Sequence, residues 1–369
     1  MLNSSPKIFS LELENFLSFL KIDSMSRITK SDFLQGSKRI NARTIKQAKR
    51  TLISEFDITN KLDIKTWNGF RLLAIDASLI NLPRTNDLKA YYQNKKSYVN
   101  RRFLKAQVSV LYDLENNYAI DGELEPISKS ERSMALSHLS YCREGDLIMS
   151  DRTYPSYNFV KQHIDNNLDF VIRVKYSFRK IILDFKKSKE QSQLVTMSLD
   201  SSKKLSHTSS DTSTPLQVRL IRIELPNGQV EVLMTSLLDA KKYPDHIFQS
   251  LHNKRWISET FYDEFKNKLK VEHFSGNCRK SILQDFYAAL FISNVQTQIV
   301  NELEEEMAEK KNLSGLDYKI NTNISYTFLK NKALELFSAK NIPEEPFNEI
   351  KHLFTDRMIY VEGAIAHLY

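Results

Sequence analysis

Two aspartates close apolar runs: Asp76 follows Leu72-Leu73-Ala74-Ile75, and Asp151 follows Leu147-Ile148-Met149-Ser150. Each is expected where a short buried strand stops. Either one alone reads most simply as a turn or cap residue, and it is the repetition that singles them out. A third acid, Glu259, lies in the segment His252-Asn253-Lys254-Arg255-Trp256-Ile257-Ser258-Glu259. At about 100° per residue, His252, Arg255, Glu259, Tyr262, Asp263, Lys266 and Lys270 share one helix face, with Ile257, Phe261 and Phe265 roughly opposite. A surface network of Arg255, Glu259 and Lys266 is the plain alternative for that face. If the three acids converge, their hard oxygens suit Mg²⁺ or Mn²⁺. Two such ions would activate a water or a 3′-hydroxyl and stabilise the leaving oxygen of an in-line displacement at phosphorus. Arg255 and Lys266 would then hold the phosphates.

Positioning those acids requires strands and helices in a particular order. Arg71–Ile75, Phe103–Tyr112 and Tyr118–Leu124 read as three successive strands, the last two flanking a turn at Glu115-Asn116-Asn117. Residues 129–141 read as helix, Asp146–Ser150 as a short buried strand, and 155–166 as helix after Pro155. Asp169–Lys175 is another strand, and Leu216–Glu224 with Val230–Thr235 flank the hairpin signal Pro226-Asn227-Gly228-Gln229. Ten of the seventeen residues from Ser198 to Thr214 are Ser or Thr, a bias that marks a mobile loop. From Asp245 onward the pattern is mainly helical, over Asp245–Lys270, Ser281–Glu309 and Tyr326–Lys340.

Residues 1–65 read as short helices with Ser31-Asp32 and Asn41 as caps. There Arg43, Lys46 and Arg50 fall on one helix face. That face is either a phosphate grip or an ordinary solvated surface. The domains expected are a helical unit over 1–65, a core over 66–168, a β-rich segment over 169–244, the rest of the core with the Glu259 helix over 245–300, and a helical region over 301–369.

The chain has 369 residues, 41% hydrophobic and 27% charged, which fits a folded chain of more than one structural unit. Its longest uninterrupted apolar run, Phe286–Ile292, is too short to cross a bilayer, and the N-terminus does not read as a signal peptide. Only Cys142 and Cys278 occur, with no CxxC pair, so neither a disulfide framework nor a cysteine zinc site is expected. The net charge of +8 favours a polyanionic partner. GxxxxGK, GxGxxG, HExxH and GxSxG motifs are all missing. His138 and His163 read as hydrogen-bonding or surface histidines.

The segments Ile75-Asp76-Ala77-Ser78, Ser150-Asp151-Arg152-Thr153-Tyr154-Pro155-Ser156 and Arg255-x3-Glu259-x6-Lys266 resemble cut-and-paste DDE transposases of the insertion-sequence-four type. The resemblance covers most of residues 70–290. It implies an α/β fold: a ribonuclease-H-like mixed-sheet core with a β-rich insertion, flanked by N- and C-terminal helical domains. It also implies Asp76, Asp151 and Glu259 as ligands of two Mg²⁺ ions, with Mn²⁺ as a substitute. DNA contacts are expected from Arg255, Lys266, His252, Lys270 and Arg152, and from Arg43, Lys46 and Arg50 in the unit that would bind the terminal inverted repeats. The implied reaction is hydrolytic nicking at the ends of a bacterial element and strand transfer into target DNA. A homodimer would act on double-stranded DNA in the cytoplasm, at the nucleoid and away from any membrane. A nuclease without strand transfer and an inactive DNA-binding derivative are the alternatives. His252 stands where the family signature has a tyrosine, and Val230–Leu233 lacks the tryptophan that some relatives carry there.

Overall fold

Alternation along the strands determines the layers. Leu72 and Ala74 point to one side of the first strand and Leu73 and Ile75 to the other, and each pair is buried in a different apolar cluster. A sheet with two apolar faces needs cover on both. The computed structural model describes residues 35–36, 39–59, 64–93, 103–198, 214–314, 318–329, 344–355 and 359–360. Its elements are α1 (Ala42–Thr59), β1 (Arg71–Leu82), α2 (Asn86–Tyr92), β2 (Leu104–Asp113), β3 (Tyr118–Pro126), α3 (Glu131–His138), β4 (Asp146–Ser150), α4 (Tyr157–Asp165) and β5 (Asp169–Val174). Next come α5 (Lys180–Ser188), β6 (Ser192–Met197), β7 (Leu216–Glu224), β8 (Val230–Thr235), α6 (Ile247–Lys254), α7 (Trp256–Asp263) and a π-helical turn (Glu264–Lys268). The chain continues through α8 (Arg279–Ser314), β9 (Tyr318–Lys319), α9 (322–329), α10 (Glu344–Thr355) and β10 (Ile359–Tyr360).

Strands β1 to β8 form one mixed sheet in the order β3-β2-β1-β4-β5-β8-β7-β6. β1, β2 and β3 pair antiparallel, β4 and β5 are added parallel, and β8, β7 and β6 return antiparallel. One face packs under α6, α7 and α8 through Phe248, Leu251, Phe261, Phe265 and Phe286. The other packs on α3, α4 and α5 through Ala135, Phe159, Val160, Ile182 and Phe185. The strands of residues 169–244 belong to this same sheet, because β8 pairs with β5.

Local chemistry explains the boundaries. Asn41 accepts from the Arg43 amide at 3.0 Å to start α1, and Ser156 caps α4 by accepting from the Phe159 amide at 3.0 Å. Buried Asp113 gathers the amides of Glu115 and Asn116 to close the β2–β3 turn, and Gly228, at φ 77°, turns the β7–β8 hairpin.

Several elements differ from the sequence expectation. α2 stands between the first two strands, started by Thr85 accepting from the Leu88 amide. α5 and β6 occupy 180–197, where Ile182 and Phe185 give a short apolar stripe too brief to stand out against the flanking lysines. The expected helix over Asp245–Lys270 is broken at Arg255 and widened at 264–268. The Ser/Thr-rich loop, apart from its ends, the Ser31-Asp32 cap and the end of the Tyr326–Lys340 helix fall outside the described residues.

The long helix α8 lies hard against β3. A Cβ on Gly122 would stand 2.5 Å from Leu290 Cδ1, and Asn294 bonds both the amide and the carbonyl of Ala119, at 2.8 and 2.9 Å. Gly122→Val should therefore cost about 1–3 kcal/mol and lower the melting temperature by several degrees. Adding Leu290→Ala should recover part of that loss in thermal unfolding followed by circular dichroism.

Candidate active site

β1 and β4 run parallel with Ile75 opposite Ser150. Asp76 and Asp151 are the next residues, so they leave that pairing side by side on strands ~4.8 Å apart. β1 does not stop at Asp76 as the apolar run implied. It continues to Leu82 on its β2 partner, and only the pairing with β4 ends there.

Strand parity places more charge on the same face. Leu72, Ala74 and Ile80 lie under the α6–α8 layer, and so on that face do Leu147 and Met149 of β4, Val171 of β5 and Leu233 of β8. The residues two steps along are Asp76, Asp151, Arg173 and Glu231, which form a charged row across four adjacent strands. Arg173 Nη1 reaches Asp151 Oδ1 at 3.5 Å, and its Nη2 pairs with Glu231.

The helices supply the other half. Phe261 meets Tyr112 at 4.7 Å between ring centroids and stacks on Phe265 at 5.4 Å, anchoring α7 over the sheet. Tyr262 donates its hydroxyl to the Asp76 carbonyl at 2.7 Å. Glu259 then stands above the row, where it accepts from Arg255 Nη1 at 2.8 Å. Arg255 is only 9% exposed. Upstream, buried Arg219 of β7 donates to the Tyr243 carbonyl at 2.7 Å and pairs with Asp245, fixing the loop that delivers α6.

Lys266 donates to Ser78 Oγ at 2.6 Å. Ser78 is two residues beyond Asp76 and on the same strand face, so the ammonium sits beside the acids. The π-helical turn carries Lys266, and wide turns of this kind are frequent where a helix must aim a side chain at a site.

Burial pushes the Asp76 carboxyl up to about 6, and the charges of Glu259 and Asp151 add to that effect against the Ala77 amide and Arg255. Asp151 and Glu259 are thus close enough to oppose ionisation of Asp76. Among the described residues, no group of three His, Cys, Asp or Glu is gathered tightly enough to hold a metal ion. Glu259 is turned onto Arg255, whereas Asp151 meets Arg173 only at 3.5 Å, and that guanidinium is shared with Glu231. The donor chemistry, three carboxylates without a soft ligand, fits a hard divalent ion.

The other expected contact residues divide clearly. Arg152, Lys270, Arg43 and Arg50 are exposed. His252 is not presented to a phosphate: it is 6% exposed, with Nε2 2.7 Å from Glu231 Oε2. Lys46 is likewise spent internally, 2.9 Å from Asp121, which is buried beneath α1. Burial works against the Lys46 ammonium, but Asp121 outweighs it and holds the group charged well above lysine's ordinary range. Neighbouring Lys49 is fully buried and donates to the carbonyls of Ala119 and Ile120. Asp121 also pairs with His138 at 2.9 Å, and His138 in turn meets Ser109 at 3.0 Å. All three are buried, so this serine, histidine and aspartate form a structural link.

Sequence reading passed over Arg173 and Glu231. Their signal was charge on the site-facing parity of otherwise apolar strands, in Phe170-Val171-Ile172-Arg173-Val174 and Val230-Glu231-Val232-Leu233. Trp256 is 52% exposed beside Arg255, with the guanidinium 5.3 Å from its ring.

The family model described as a transposase DDE domain matches residues 67–295, and the chain belongs to that family. No curated protein matches it. A solved structure, the cryo-EM structure of a piggyBac transposase synaptic complex with hairpin DNA, is similar at 14% identity and a TM-score of 0.42. That similarity covers 77% of this chain, which spans 57% of the other.

Because its folded value is raised above the ordinary 3.8, ionised Asp76 destabilises the fold at pH values above about 6, and the penalty fades as acid protonates it. Asp76→Asn should raise the melting temperature by a few degrees at pH 7–8. That gain should shrink as the pH is lowered toward 4, as read by scanning calorimetry across pH.

Proposed function

We propose that this chain is a DNA transposase of the insertion-sequence-four type. In this reading it hydrolyses phosphodiester bonds at the terminal inverted repeats of a bacterial insertion element and transfers the freed strand into target DNA. The observation that carries the proposal is the pair Asp76 and Asp151, side by side on adjacent parallel strands beneath Glu259, in a chain of the transposase DDE-domain family. Three antiparallel strands followed by two parallel ones, with the acids at the β1–β4 junction, support a ribonuclease-H-like core.

Asp76, Asp151 and Glu259 would hold two divalent cations, Mg²⁺ or Mn²⁺, which supply activation of the attacking oxygen and stabilisation of the leaving oxygen. The chain's own residues do the positioning. Arg255, buried and fixed on Glu259, sets the orientation of that carboxylate. Lys266, tethered to Ser78, offers a compact charge to the phosphate nearest Asp76. Exposed Arg152 and Lys270 extend the basic rim, and Arg43 and Arg50 provide a second basic surface on α1 for the ends of the element. Cutting both ends together calls for a homodimer on two double-stranded DNA ends, working at the nucleoid in the cytoplasm.

The test is cleavage of DNA carrying the element's own ends in Mg²⁺. Asp76→Asn, Asp151→Asn and Glu259→Gln should each lose about 1,000-fold or more in rate, roughly 4 kcal/mol of barrier, while still shifting the same DNA in a salt-sensitive gel assay. Full cleavage by any one of them would refute the assignment. Cleavage without joining of the 3′ end to a target would leave a nuclease.

A further inference from the structure

Among the charged residues of the site face, Arg173 and Glu231 have no part in the proposed chemistry, yet they adjoin one of its acids. Arg173 divides its guanidinium between two carboxylates. Nη1 reaches Asp151 at 3.5 Å, the outer limit of a hydrogen bond, while Nη2 is closely engaged by Glu231. Glu231 is fixed in turn from α6, because its second oxygen meets His252 Nε2 at 2.7 Å. Burial opposes ionisation of Glu231, but the His252 hydrogen bond and the Arg173 charge outweigh it and hold the carboxyl below its ordinary range. His252 Nδ1 is buried without a partner, so among the described residues the ring's one polar contact is with Glu231.

An arginine between two carboxylates goes to whichever binds it better. A guanidinium released onto Asp151 would form the two-pronged pair that arginine prefers, and it would neutralise a carboxylate whose charge a cation needs.

We propose that Glu231, braced by His252, is a positioning residue that holds Arg173 back from Asp151 and so keeps that carboxylate free for a divalent cation. This rests on the reading of Asp151 as a cation ligand. The charged row is then an arrangement in which one acid occupies the arginine so that another stays available. His252 acquires a role in the same arrangement, since it fixes Glu231 from the helix side, in a place where it cannot reach DNA.

Mn²⁺ binding to the purified full chain, measured by calorimetry and by loss of the free-ion paramagnetic resonance signal, tests this without any cleavage assay. Glu231→Gln should weaken Mn²⁺ binding about 5–10-fold, a change of roughly 1–1.4 kcal/mol. Arg173→Gln should tighten it. The decisive variant is the double substitution, which should bind like Arg173→Gln alone, since Glu231 has nothing to restrain once the arginine is gone. If Glu231 acted only as a nearby negative charge, Glu231→Gln would weaken binding by the same factor in either background, and the proposal would be overturned. Wild-type affinity in Glu231→Gln alongside weak binding in Asp151→Asn would overturn it as well, leaving the reading of the site intact. Mn²⁺ binding unaffected by Asp151→Asn would remove that reading and the proposal together. Far-UV circular dichroism of each variant reports that the fold is retained.

Discussion

Like charge brought together at one partly buried point of the sheet is the constraint from which the rest of this molecule can be understood. The parallel register of β1 on β4 leaves two aspartates next to each other at one point of the sheet, and α7 brings a glutamate over them. Such a cluster is unfavourable in itself. The structure answers it in part with arginine: Arg255 pairs with Glu259, and Arg173, engaged by Glu231, stands 3.5 Å from Asp151, while Asp76 is left with a backbone amide and a raised proton affinity. A site arranged in this way has stored repulsion that a multivalent cation or a correctly placed set of charges would relieve.

The scaffold around this point is stiff where the acids need it. Tyr262, Phe261 and Phe265 tie the helix to the sheet from below, and Arg219 ties the incoming loop from the side. On the far side of the sheet order, α8 is pressed onto β3 at Gly122, and α1 is bound through Lys46 and Lys49 to β3. α1 is therefore joined to the core by buried charge, and the cations it keeps for the surface are Arg43 and Arg50.

Much of this was legible in the residues. Apolar runs and turn residues marked β1 to β5 and the β7–β8 hairpin, because buried strands and tight turns draw on few residue types. The proximity of Asp76 and Asp151 followed from the repeated pattern. What could not be read was register and partnership. The continuation of β1 past Asp76 depends on pairing with β2, which no local signal records. Lys46 and Arg50 looked alike on a helical wheel, yet one faces a buried aspartate contributed by a strand far along the chain and the other faces solvent. His252 shares the helix face of Arg255, yet Glu231, 21 positions earlier, claims its Nε2.

The widened turn at Glu264–Lys268 bears on how this sequence can change over generations. The Leu269 amide bonds back to the Glu264 carbonyl at 3.0 Å, five residues earlier, and the chain then re-enters the apolar layer through Leu269 and Val271. The bulge therefore sets the phase between an ammonium that must meet Ser78 and a pair of side chains that must stay dry. Exchanging residue types there leaves that phase alone, whereas gaining or losing one residue would rotate one partner out of place. Inheritance is thus freer in the composition of this segment than in its length.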